Sequence, residues 1–134
     1  MALALAGCTQ LPPSPHEIQA KRFEPAAPGM SVIYIVRDYP DNDLAATIVL
    51  DGAASITTYP GTFYRWEVPP GQHRIAGMAA DPGVITLQTE PGRIYFVQQG
   101  VNPFARTPMS HFYRVDESRG RAVVMRGQLV PGAR

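Results

Sequence analysis

At 134 residues, 45% hydrophobic and only 17% charged, the chain is long enough for one domain with one sizeable core and lacks the composition of a disordered polymer. Its formal net charge is +1, and eleven of its twelve basic residues are arginines scattered from Arg22 to Arg134, which gives no electrostatic footing for nucleic acid. No run approaches the roughly 20 apolar residues that span a bilayer.

The chain opens MALALAGCTQ, and Cys8 is its single cysteine. An internal disulfide is therefore impossible, while an intermolecular one stays open. The segment around Cys8 is uncharged, and the nearest histidine, His16, sits among prolines, so a reactive thiol lacks the neighbours that would activate it. Leu5-Ala6-Gly7-Cys8 resembles the lipobox of bacterial lipoproteins, in which the chain is cut before a cysteine that carries lipid, and the Ala-Leu repeat before it resembles the end of a signal-peptide apolar region. The resemblance implies lipid attachment at Cys8, and Thr9 in place of Asp implies the outer membrane. Only seven residues precede Cys8 and none is charged, so we expect residues 1–8 to be part of a signal whose start lies upstream.

Residues 9–29, TQLPPSPHEIQAKRFEPAAPG, contain five prolines and no sustained apolar period. They predict an extended linker of polyproline character, which at about 3.1 Å per residue reaches roughly 60 Å. A helical turn within HEIQAKRFE is marginal on its own.

From Ser31 the pattern turns to β. SVIYIVR (31–37) is apolar on both faces, as in a central strand of a sheet covered on both sides. ATIVLDG (46–52) and SITTY (55–59) flank Asp51-Gly52, which favours a tight reversal. In TFYRWEV, alternation sets Tyr64, Trp66 and Val68 on one face, which we assign to the core, and Phe63, Arg65 and Glu67 on the other. Pro70-Gly71 and Pro91-Gly92 fit type II turns joining strands at 63–68, 72–78, 84–89 and 93–99, with HFYRV (111–115) as the last. Asp116 caps a short helix to about Arg126, weakened by Gly120. The expected fold is all-β: a single antiparallel β-sandwich of seven or eight strands over residues 30–130 with a short C-terminal helix.

DGAASITTYPGTFYRWEVPPGQHRI resembles the PEGA module, with its Asp-Gly turn, Val-Pro-Pro-Gly and following His. The order Tyr34 to Arg37, Asp51-Gly52, Val68 to Gly71, His73, Pro91-Gly92, Tyr95 and VDESRGRA resembles a family of small bacterial lipoproteins known by a domain of unknown function. That likeness covers about residues 30–126, implies an Ig-like or PEGA-like sandwich, and transfers no catalytic residue.

Chemistry has few candidates. His73 shares a strand face with Ile75, which predicts a core histidine with a hydrogen-bond partner. His16 and His111 lie elsewhere, without metal-ligand spacing, and one cysteine builds no zinc site. Asp38, Asp41 and Asp43 lack the glycine and distal Glu of a calcium loop, so they predict an ordinary solvated loop. No serine sits in a Gly-x-Ser-x-Gly elbow and no Gly-rich loop joins a strand to a helix. We therefore expect no enzyme, no cofactor and no metal.

What remains is surface. GVNPFARTPMS (100–110) offers Phe104, Arg106 and Met109, the composition of a protein contact, or a plug for the end of the sandwich. Tyr59, Phe63 and Tyr64 are candidates for a platform under sugar rings, or core residues. Two functions follow as expectations: a lipid-anchored, non-catalytic envelope module that docks an envelope protein, and alternatively a glycan- or peptidoglycan-binding periplasmic module. The membrane, through lipid on Cys8, is the expected partner in either case.

Overall fold

A computed structural model describes residues 12–102 and 107–131. The elements in chain order are α1 (Pro15–Ala20), β1 (Ser31–Arg37), β2 (Ala46–Leu50), β3 (Ala54–Thr58), β4 (Thr62–Val68), β5 (Gly71–Gly77), β6 (Val84–Thr89), β7 (Ile94–Asn102), β8 (Met109–Val115), α2 (Glu117–Arg126) and β9 (Gln128–Leu129). Each strand expected from alternation and turn chemistry is present. The cap of α2 is the expected one, with the Asp116 carboxylate accepting from Arg119 N at 2.8 Å.

The strands make two sheets, ordered β8-β7-β1-β4-β9 and β3-β2-β5-β6. The second is antiparallel throughout. In the first, β1 runs antiparallel to β4 but parallel to β7, with Ile33 beside Tyr95, and β9 runs parallel to the start of β4. The purely antiparallel sandwich expected from the sequence is thus corrected to one mixed and one antiparallel sheet. Between β1 and β7 the chain passes through the other sheet twice, and β7 returns beside β1 in the same direction, a pairing that local turns do not encode.

Two cores explain why β1 is buried along its whole length. Ile33 and Ile35 of β1, with Val68, Tyr95 and Val97, meet Ile48, Leu50, Ile75 and Leu87 of the opposite sheet, so the sheets share one apolar interior. On the other side of β1, Val32, Tyr34 and Val36 pack with Phe63, Phe96, Ala20 of α1, and Val123 and Val124 of α2. The architecture is therefore three layers, helices on sheet on sheet, rather than two.

The helical layer depends on close approach. Gly120 lies flat on Phe96, where an added Cβ would come within 2.2 Å of the ring. The glycine that weakens α2 as a helix is what lets it dock. α1 corrects the extended linker as well: Ser14 Oγ accepts from Glu17 N at 3.1 Å, Tyr34 Oη donates to Ala20 O at 2.6 Å, and buried Glu17 accepts from Leu129 N at 2.8 Å. A six-residue helix that is marginal alone is held by these tertiary contacts.

The turns follow their residues. Asp51 (φ 52°) and Gly52 (φ 67°) are both left-handed, with Ala53 N donating to Leu50 O, a type I′ hairpin turn. Gly92 at φ 76° fits a type II turn, whereas Gly71 at φ 134° departs from that value where it opens β5.

Candidate functional site

The residues that looked most like a motif converge on one another. His73 is buried on β5, with Nδ1 2.7 Å from Asp51 Oδ2 and Nε2 2.6 Å from Pro69 O. Each ring nitrogen therefore faces an acceptor oxygen. Asp51 Oδ1 accepts from Arg74 N at 2.7 Å, and Trp66 meets the imidazole edge-on with centroids 5.4 Å apart. The Asp-Gly turn, the Val-Pro-Pro-Gly turn and the histidine form one strut tying the β2–β3 turn to the β4–β5 turn. The expected core histidine has two hydrogen-bond partners.

Two of the three acids after β1, Asp38 and Asp41, are equally committed, which corrects their assignment to a solvated loop, while Asp43 is exposed as expected. Asp38 is buried and receives Arg126 in a bidentate pair, Nε to Oδ1 at 2.9 Å and Nη2 to Oδ2 at 2.6 Å, with Arg119 Nη2 at 3.0 Å. The hydrogen bonds from Arg126 hold its carboxyl below the usual carboxylate range. Burial opposes this, while Tyr39 N and the two guanidinium charges reinforce it. This cluster bolts α2 to the end of β1.

Arg37, fully buried, donates to Asp41 Oδ2 at 2.6 Å, Thr58 O at 3.1 Å and Asn42 O at 2.9 Å. Asp41 also accepts from Val101 N, and Asn42 Nδ2 donates to Val101 O. Behind it a buried polar relay crosses between the sheets. Thr58 Oγ1 donates to Gln99 Oε1, Gln99 Nε2 to Ser110 Oγ, and Ser110 Oγ to Asp81 Oδ2 at 2.6 Å. Among the described residues no buried side-chain polar atom lacks a partner.

This end of the sandwich is where the 100–110 segment was expected to make a contact. Phe104 and Arg106 lie outside the described residues; Met109 is half-buried and opens β8 opposite Asn102. Beside it lies a shallow cavity of about 380 Å³ lined by Asp41, Asn42, Gly100, Val101, Asn102 and His111. A second cleft, of about 240 Å³, runs along β4 between Tyr64, Arg65 and Glu67 on one side and His16 and Gln19 of α1 on the other. Two of its charges are paired with each other: Glu67 accepts from Ala27 N and from Arg65, which also donates to the Glu24 backbone O.

The three aromatics proposed as a sugar platform do not share a surface. Phe63 is buried under the helices, Tyr64 points to the opposite face of β4 against the inter-sheet core, and only Tyr59 is exposed, at 43%. The alternation that placed Tyr64, Trp66 and Val68 inward was right; a second core covering the other face was the missing element. Cys8 lies outside the described residues. Among the described residues no three His, Cys, Asp or Glu side chains gather as metal ligands, and no helix is long and apolar enough to cross a membrane.

The chain matches no known protein family profile and no curated protein. Asp38 and Arg37 are structural ions not expected from the sequence, where their only signal is local: a charged residue at the end of an otherwise apolar strand, and an acid directly after it.

Proposed function

We propose that the chain is a non-catalytic binding or scaffold module of the bacterial cell envelope, anchored by lipid on Cys8 and docking an envelope protein. The observation that carries this is the employment of its polar residues. Asp38, Asp41, Asp51, Asp81, His73 and Arg37 each join one element to another, so the titratable groups act as struts. The lipobox-like Leu5 to Cys8 supports the anchor, and convergence of the Asp-Gly, Val-Pro-Pro-Gly and His73 residues supports the PEGA-like, Ig-like label for the antiparallel part of the fold.

The docking surface in this reading is the end of the sandwich carrying the 100–110 segment, beside the cavity over Gly100. Gly100 leaves open space where a side chain would stand, and half-buried Met109 and exposed His111 flank it. The test is photo-cross-linking in envelope membranes from a probe at His111. The expected result is a discrete adduct that Phe104→Ala or Arg106→Ala abolishes while leaving the thermal midpoint within about 2 °C. An adduct unchanged by both substitutions overturns this placement.

A further inference from the structure

We propose that the two-helix layer is a membrane-facing surface, lying against the phosphate-bearing headgroups of the bilayer that holds Cys8. This rests on the acylation of Cys8 proposed above. Three observations lead to it. The first is reach. The chain is not a free tether up to β1, because α1 is capped at Ser14 and packed onto the first sheet, leaving six residues from Cys8 to the cap. At about 3.1–3.6 Å per residue the lipid attachment lies within roughly 20 Å of the first turn of α1, less than the roughly 35 Å diameter of a domain this size. The domain rests at the bilayer, α1 side first.

The second is apolar exposure on that layer: Ile18 of α1 is 46% exposed and Met125 of α2 is 55% exposed. The third is charge. Lys21, Arg22, Arg119, Arg121 and Arg126 belong to the helical layer, whereas Arg74 is the only Lys or Arg in the four strands of the opposite sheet. Glu17, on the buried side of α1, and Asp38, at the end of β1, are the acids paired with Lys21, Arg119 and Arg126, and their burial leaves half-exposed guanidiniums outermost. Glu24, Asp116 and Glu117 also reach solvent on this layer, with Glu117 paired to Arg121. Exposed apolar tips among arginines suit the headgroup boundary, whereas the outer face of the second sheet sets one exposed apolar residue, Val84, among Thr57, Thr86 and Gln88, with Arg74 the only cation of its strands.

The test uses the full chain, exported and acylated, in vesicles of phosphatidylethanolamine and phosphatidylglycerol. With Cys8 occupied by lipid, Ile18→Cys, Met125→Cys and Thr86→Cys each carry one environment-sensitive fluorophore, and brominated phospholipids serve as quencher. The expected result is at least twofold quenching at positions 18 and 125 and none at 86. Quenching at 86, or equal signals at the three positions with acyl mass present on Cys8, overturns the orientation and leaves the anchor standing. Absence of acyl mass on Cys8 in this exported protein removes the anchor and this inference together.

Discussion

Asp38 shows how much a single side chain does here. Its carboxylate closes a three-way contact with Arg126 and Arg119, 88 and 81 positions away in sequence, and it is buried while both arginines are half-exposed. Because its titration is depressed in the folded chain, the stability it contributes is present above the ordinary carboxylate range near pH 4 and fades as pH falls through the lower folded value. Asp38→Asn should cost about 1 kcal/mol at pH 7, a modest figure because its partners are solvated. Urea titrations of both proteins should converge as pH drops below about 4; a gap independent of pH would show that the carboxylate charge is not what holds α2. From the sequence this residue belonged to a solvated loop, since nothing local reveals partners so far along the chain.

Elements differed in legibility for physical reasons. β1 was readable because burial on both faces demands unbroken apolar residues, and α2 because Asp116 is a strong cap. α1 was not, since six residues gain helical stability only by docking Ala20 and Glu17, and β9 was not, since two residues carry no period. The parallel pairing of β1 with β7 is set by long-range packing. Of the candidate surfaces, the sequence placed Tyr64 correctly inward and Phe63 on the other face, yet grouped both in a sugar platform, having no sign of the second core that buries Phe63. Gly120 gives the sharpest element-scale prediction. By propensity alone Gly120→Ala should stabilise α2 by about 1 kcal/mol. Contact with the Cβ and Cγ of Phe96 predicts the reverse, a loss of about 1–3 kcal/mol in denaturant melts, partly restored by Phe96→Leu. A stabilised single variant would contradict the packing.

At the scale of the molecule, β1 couples the two cores, since its alternate residues enter each. Tyr34→Ala, on the helix side, removes a buried ring stacked on Phe96 and should cost about 3–5 kcal/mol. Fluorescence of Trp66, on the inter-sheet side, should report that loss in a single transition; an unchanged Trp66 midpoint would mean the layers unfold separately. We propose that lipid on Cys8, close before this three-layer body in the chain, holds it at the membrane. Intact mass spectrometry of the protein expressed in a Gram-negative host from its full coding sequence tests that account most directly. A mature chain beginning at Cys8 and carrying acyl mass is the predicted result. A chain that retains the residues ahead of an unmodified Cys8 would contradict it.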